Sequence, residues 1–411
     1  MSVGRFIAGR ISGRGENSLS GRNNTLACVS VCLSVAIMII AVAVVAGFKS
    51  RIRERVSGVM GSVMLVAPGQ APVNELYPFK SNLSYIPRIE ALPEVESVCG
   101  TAYRSGLIRA GGQIEGLYFK GVDSLYDFRF FRDCLVDGEM PDFRGRISSE
   151  VMISELTASK LGLKAGDDMA VYFIGDDVKV RKFHISGLYN AQLEELDSRM
   201  ALCDIRQVQR LNGWEKDEVS SVEIRCTPRA DIDFLHKQVE EIEFLNVSEN
   251  DTALFVTDVR SVFGHLFDWL SLLDLNVVMI LSLLMLVAGF NMISAVLIIL
   301  FEKISMIGLL KALGMTGRDI GKVFLLRSLS IVGKGMILGN VFGLGLCLVQ
   351  KYTEVIRLDP ASYFVDCVPI EIDFASILLL DVISLAVIMA IVSLSTLFIT
   401  RVSPDRTMRM E

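Results

Sequence analysis

Three histidines, eight cysteines and one Gly-Lys-Gly triplet are the residues from which this chain could assemble a reactive centre. A structural zinc needs about four nitrogen or sulfur ligands, usually in closely spaced pairs. His184, His236 and His265 stand apart from one another and from the cysteines, so no metal site is expected. A nucleotide phosphate loop needs the spacing G-x-x-x-x-G-K-[ST], and Gly333, Lys334 and Gly335 lack it and sit inside a long apolar run. Cys28, Cys32 and Cys347 also fall in apolar runs. The other five, Cys99, Cys134, Cys203, Cys226 and Cys367, are odd in number and irregularly spaced, which favours free thiols over a disulfide framework. No catalytic residue and no cofactor are assigned to this chain, and the reading is of a non-enzyme: if ATP drives it, another chain hydrolyses the ATP. What remains is mechanical. Residues 302–327, EKISMIGLLKALGMTGRDIGKVFLLR, form a basic loop between two long apolar segments, placed to hand a force across a membrane surface.

The elements that must position this loop follow from composition. The chain is 51% hydrophobic and 21% charged, and its mean hydropathy is +0.46. Four apolar runs stand out, at 26–48, 275–301, 328–350 and 374–400. Each holds about 20 or more residues, enough to cross a hydrocarbon core of ~30 Å. A cleaved signal peptide is the rival reading of the first run, but its apolar stretch is too long and no small-residue cleavage site follows.

Positive loops stay on the cytoplasmic side. Arg5, Arg10, Arg14 and Arg22 precede the first run, Lys303, Lys311, Arg318, Lys322 and Arg327 lie in the 302–327 loop, and Arg401, Arg406 and Arg409 follow the last run. Both ends (1–25 and 401–411) and that loop are therefore expected inside. The acidic 351–373 loop and everything from 49 to 274 are expected outside, in a multi-pass membrane protein. The net charge of −6 offers nothing to nucleic acid.

The outer segment reads as mixed α and β. Residues 62–67, 116–121, 169–173, 181–186 and 221–226 are short β-branched or alternating runs, whereas 147–163 and 231–243 carry helical periodicity. Boundaries near 121–122 and 212–218 divide it into an outer part, 49–121 with 218–256, and an inserted module, 122–217. From Thr257 the apolar spacing of Val262, Phe263, Leu266, Phe267, Trp269, Leu270 and Leu273 predicts a stalk, 257–274, continuous with the second span as one helix.

Gly335, Gly339 and Gly343 recur every four residues in the third run, with Gly345 beside them, making a smooth face for close helix packing, within the bundle or at a subunit interface. Lys334 lies within snorkelling reach of headgroups. Asp381 is the other ionisable group in the spans and sits near an outer end, so ion-coupled transport is poorly supported. The first part of the 302–327 loop reads as a helix with Met306, Ile307, Leu309, Leu310 and Leu313 on one face and Ser305, Gly308 and Ala312 on the other. Gly314 suits its C-terminal cap, and Thr316 with Asp319 has the spacing of a cap that starts a new helix into the third span.

At this point the chain resembles the FtsX/MacB-type ABC transporter permeases, and among them the lipoprotein-releasing (LolC/LolE) type. The resemblance is carried by FNMIS at 290–294, EK at 302–303, IGLLKALGMTGRDI at 307–320 and the glycine ladder. It extends through GF at 47–48, GVD at 121–123, LVDGEMPDF at 135–143, ISELTASKLGLKAGD at 153–167, KVRKFHISGLY at 179–189 and LDPASYFVDCVPIEID at 358–373. Met306 stands where the family usually has an acidic residue, and FIGDDVKV at 173–180 is short for an extended chaperone-binding hook.

The resemblance implies a membrane protein of the MacB (type VII ABC transporter) fold: four transmembrane α-helices with a large α+β periplasmic domain between helices 1 and 2. That domain would have a porter-like part (49–121 and 218–256) and a Sabre-like part (122–217). It implies a pair of permeases, the same or paralogous, and two copies of an ATPase that carries ATP and Mg. The ATPase would dock on Glu302, Lys303, Ile307, Gly308, Lys311, Ala312, Leu313 and Gly314. Lipoproteins would be extracted from the outer leaflet of the inner membrane and passed to a periplasmic chaperone, with acyl chains and membrane lipids against Val42, Val45, Phe48, Phe267 and Leu270. A MacB-like exporter of peptides or toxins and an FtsX-like regulator of cell-wall hydrolases are the alternatives.

Overall fold

The computed structural model describes residues 19–400 except 176, 228–229, 248–250, 303–307, 310–312, 360–362 and 364. They form two compact units: a helical one, and a mixed domain built from Lys49–Trp269 with Arg357–Cys367.

Four long helices, Leu19–Met60, Gly264–Glu302, Gly317–Thr353 and Phe374–Thr400, contain the four apolar runs, and each is long and apolar enough to cross a membrane. Three of them extend past the runs, and their ends have local causes. The first stops at Gly61, whose φ of +78° is left-handed and open to glycine at little steric cost. The third starts at the Thr316 cap, whose hydroxyl accepts the Asp319 N–H and donates to the Asp319 carboxylate at 2.6 Å.

The second long helix corrects an expectation. A single helix from Thr257 to Phe301 does not form: Phe255–Asp258 is a strand antiparallel to Val63–Val66, a short helix follows at Val259–Val262, and the long helix begins at Gly264. The reason is competition. Phe255, Val256 and Thr257 suit a pleated surface, their strand register buries Val256 and Thr257, and Asp258 then caps the short helix by accepting the Arg260 N–H at 2.9 Å.

In the mixed domain the strands are β1 (Val63–Val66), β2 (Phe79–Lys80), β3 (Val95–Ala110), β4 (Gln113–Val122), β5 (Leu135–Gly138), β6 (Glu150–Ser154), β7 (Asp168–Phe173), β8 (Lys179–Tyr189), β9 (Met200–Asp204), β10 (Glu218–Val219), β11 (Ser221–Cys226) and β12 (Phe255–Asp258). β3 is 16 residues long and serves two neighbourhoods. Its first half pairs with β11, which pairs with β1 and through it β12, whereas its second half pairs with β4 and β7. From β4 the ladder runs through β9, β6 and β8 to β7 and so back to β3, a closed ring of six strands. Within it β4–β9 and β6–β8 are parallel. Gly111 and Gly112, both with positive φ, make the tight β3–β4 turn that a two-residue hairpin requires.

Phe119, Phe173 and Phe183 fill the ring, with centroids 5.3 to 6.3 Å apart. Gly106 must be bare, because a Cβ there would sit 2.7 to 3.0 Å from Val171, Phe173 and Phe119. The helix read over 147–163 is also corrected: Glu150–Ser154 is a strand between β8 and β9, and the helix is confined to Glu155–Leu161. Val151–Ile153 are fully buried, and an all-buried apolar run looks alike in either period. The helix read over 231–243 is found at Ile232–Asn246.

Candidate functional site

In the helical unit the glycine ladder packs within the chain. A Cβ on Gly335 would lie 2.9 Å from the Cys28 carbonyl oxygen and from Val31, and one on Gly339 would lie 2.7 Å from the Cys32 carbonyl and 2.9 Å from Val35. Gly343 lies against Ala36, where a Cβ would stand 3.1 Å from the Ala36 Cα, while Gly345 faces open space. Three consecutive turns of the third long helix thus rest on the first at backbone contact, the arrangement small residues permit in lipid. The fourth helix joins by Asn340, whose amide donates to both Asp381 carboxylate oxygens at 3.1 and 2.9 Å, and by Ile391 against Gly289 of the second. Asp381 is thereby tied to a helix contact.

The segment that precedes the fourth helix is stitched to the first. The Glu371 N–H donates to the Ala43 carbonyl at 3.1 Å, and a Cβ on Gly47 would fall on the Pro369 carbonyl oxygen. This gives the Gly47-Phe48 pair a physical role that sequence left unexplained. Val42, Val45 and Phe48 flank this contact on the first helix and are half-buried. Phe267 is also half-buried, and Leu270 is 3% exposed, so of the five proposed acyl contacts Leu270 is the one already covered by protein.

Of the proposed coupling residues, Lys303, Ile307, Lys311 and Ala312 lie outside the described residues, as does the side chain of Glu302. Gly308 is helical, Leu313 is 76% exposed and its N–H donates to Leu309, and Gly314 has φ +87°, the left-handed geometry of a helix stop. Thr316 restarts the chain as a helix two residues later.

The mixed domain holds a polar centre that sequence reasoning missed. Lys120 on β4 is 0% exposed, and its Nζ donates to Glu223 Oε2 on β11 at 2.6 Å and to the Val59 carbonyl at the end of the first long helix. Glu223 Oε1 accepts from Tyr103 at 2.8 Å and Thr101 at 3.2 Å. Arg225 donates to the Gly58 carbonyl at 2.8 Å and pairs with Asp127 at 3.0 Å, and the Tyr126 ring lies 5.0 Å from Lys120 Nζ and 5.5 Å from the Arg225 guanidinium. Burial would raise the Asp127 carboxyl, but hydrogen bonds from Arg129 and the charges of Arg225 and Arg129 hold it at about 2. Burial pushes Tyr103 and Tyr126 upward, so both phenols stay protonated: Tyr103 donates to Glu223, and the Tyr126 oxygen accepts from Lys120 and Arg225. The signal in sequence was faint: a lone Lys in a strand, and the alternation Glu223, Arg225 in another.

Beside this centre lies a cleft of roughly 430 Å³ lined by Arg51, Arg53, Arg55, Arg129, Asp127 and Cys134, among others. Its charges are largely matched: Arg129 bridges Glu96 and Asp127, both at 2.7 Å, and Arg51 faces Glu54 at 3.4 Å. Arg55 donates to the Ala191 carbonyl at 2.7 Å. Burial raises Cys99 to about 12 and Cys134 to about 11, so these free thiols are poor nucleophiles. Among the described residues no group of three His, Cys, Asp or Glu could hold a metal ion. His184 and His265 instead face Asp168 and Glu195 at 3.1 and 3.0 Å.

Comparison with known proteins agrees with these two units. Residues 25–242 match the MacB-like periplasmic core domain and residues 278–404 the FtsX-like permease C-terminal domain. The chain is 21% identical to the lipoprotein-releasing system transmembrane protein LolE of Haemophilus influenzae, over 94% of each chain. It is 22% identical to LolC of Xylella fastidiosa, over 93% of this chain and 92% of that one. A macrolide export ATP-binding/permease protein MacB from Bdellovibrio bacteriovorus is 26% identical, but over 43% of this chain and 28% of its own. Among solved structures, the periplasmic region of MacB from Actinobacillus actinomycetemcomitans aligns with 51% of this chain and 95% of its own, at 13% identity and a TM-score of 0.33. With four membrane-length helices among the described residues and a large α/β domain between the first and second, the chain belongs to the FtsX-like ABC transporter permeases with a MacB-like periplasmic domain, and the relatives that align over more than nine-tenths of it are LolE and LolC proteins.

Proposed function

We propose that this chain is a permease subunit of an ATP-driven inner-membrane complex that extracts lipoproteins from the outer leaflet and delivers them to a periplasmic chaperone. The observation that carries this reading is the extent of similarity: the LolE and LolC relatives align end to end with this chain, whereas the MacB relative aligns over 28% of its own length. On this reading two copies of a separate ATPase dock on the 302–314 segment, and a second permease, identical or paralogous, completes the complex. The porter-like and Sabre-like parts of the outer domain then receive the motion, with both chain ends in the cytoplasm. Lipoprotein acyl chains lie against Val42, Val45, Phe48 and Phe267. The free Gly308 and the exposed Leu313 support a docking surface there, since a small residue beside a large apolar one fits a partner's groove.

Depletion followed by membrane fractionation tests the reading. Outer-membrane lipoproteins should accumulate in the inner membrane. If their distribution is unchanged while export of a peptide or toxin fails, the MacB-like alternative replaces it. If septal cell-wall cleavage fails instead, the FtsX-like one does.

A further inference from the structure

The last carbonyls of a helix lack partners and carry the negative end of its dipole. At the end of the Leu19–Met60 helix, the Gly58 and Val59 carbonyls are received by charged donors from two different strands, Arg225 of β11 and Lys120 of β4. Charge-assisted bonds of this kind are stronger and more directional than neutral ones. Each cation is anchored behind, Lys120 by Glu223 at 2.6 Å and Arg225 by Asp127 at 3.0 Å, with Tyr126 hydrogen-bonded to both cations at 3.4 and 3.3 Å. Phe130 closes the side: a Cβ on Gly58 would stand 2.2 Å from its Cδ2.

A buried ion pair is a poor device for stability alone, because well-packed apolar residues of the same volume often do as well. What directional bonds add is resistance to sliding and turning, which apolar surfaces lack. We propose that Lys120 and Arg225 are positioning residues that lock the axial position and rotation of the first long helix to the sheet of the mixed domain, so that movement of the helix becomes movement of the domain during lipoprotein release. The inference rests on the function proposed above.

The test uses the full-length chain with its copurifying ATPase in proteoliposomes, comparing wild type with the charge-balanced double variant Lys120→Met, Glu223→Gln. Three quantities are read: ATP turnover, lipoprotein released per ATP, and amide exchange over residues 56–60. The expected result is turnover within about twofold of wild type, release per ATP down about tenfold, and exchange at 56–60 faster by about tenfold. Arg225→Lys, which keeps the charge and loses the fork, should fall between, and with Tyr126→Phe it carries the test if the double variant does not accumulate. Unchanged release per ATP in a variant whose helix end exchanges faster would overturn the proposal, as would exchange that does not change. So would turnover and release falling in parallel, the mark of simple damage. A wild-type complex that releases no lipoprotein would instead remove the functional reading, and exchange at 56–60 would still judge the lock.

Discussion

In the helical unit Gly335, Gly339 and Gly343 bring two backbones together until no side chain fits between them, whereas the mixed domain keeps a buried Lys120 and Glu223 and a half-buried Arg225 in a bonded web. The difference follows from solvent. Lipid gives helices no hydrophobic reason to associate, so they rely on closeness and on single polar links such as Asn340 to Asp381. The mixed domain has the hydrophobic effect to hold its six-stranded ring, and can carry the desolvation of a few charges that set geometry. Closeness punishes added volume, and a charge web punishes half-removal.

The comparison breaks first at Gly339. Gly339→Leu should separate the first and third helices and abolish accumulation of the full-length protein, while Gly345→Ala, facing open space, should accumulate normally. Immunoblots of membrane fractions read both, and equal levels would mean the ladder does not hold the bundle.

In the web, Lys120→Met alone strands a buried carboxylate and should cost about 3–5 kcal/mol. The double change with Glu223→Gln should recover most of that loss, because no charge is left behind. Thermal melts of the purified full-length protein decide, and a double variant as damaged as the single one would show the web to be ordinary packing.

A smaller effect follows from Asp197, 5% exposed, which burial raises to about 6 against the pull of backbone N–H donors such as that of Ala191. A carboxyl raised in the fold binds its proton more tightly there than when unfolded. Its contribution is therefore complete below about pH 4 and is lost as the pH rises to about 6, by up to ~3 kcal/mol. Melts from pH 4 to pH 7 should show that downward step, and Asp197→Asn should flatten it. The smallest effect is at the cap: Thr316→Ala should cost about 1 kcal/mol, measured as local amide exchange over 317–320.

The spans, the Gly314 stop and the Thr316 restart were legible because each depends on residues within one or two turns. Strands β1, β4, β7, β8 and β11 were legible from β-branched runs closed by Gly or Asp. What was not legible depends on distant partners. Val151–Ile153 becomes a strand because β8 and β9 bracket it, and Phe255–Asp258 because β1 needs a second neighbour. The 16-residue β3 carries four glycine or serine positions that look like turn signals until its two sets of partners are known. The Lys120 web was invisible for the same reason, since its members lie up to 167 residues apart.

That shared strand also governs how the domain comes apart. Thr101, Ala102 and Tyr103 sit where β3 passes from the β11 ladder to the ring, and all three are fully buried. Neither half can release β3 without stripping the other of an edge, so the β1–β11–β12 layer and the ring form one cooperative folding unit. Evolution can therefore remodel hairpins around the ring, such as the β7–β8 tip, far more freely than it can move a boundary through β3.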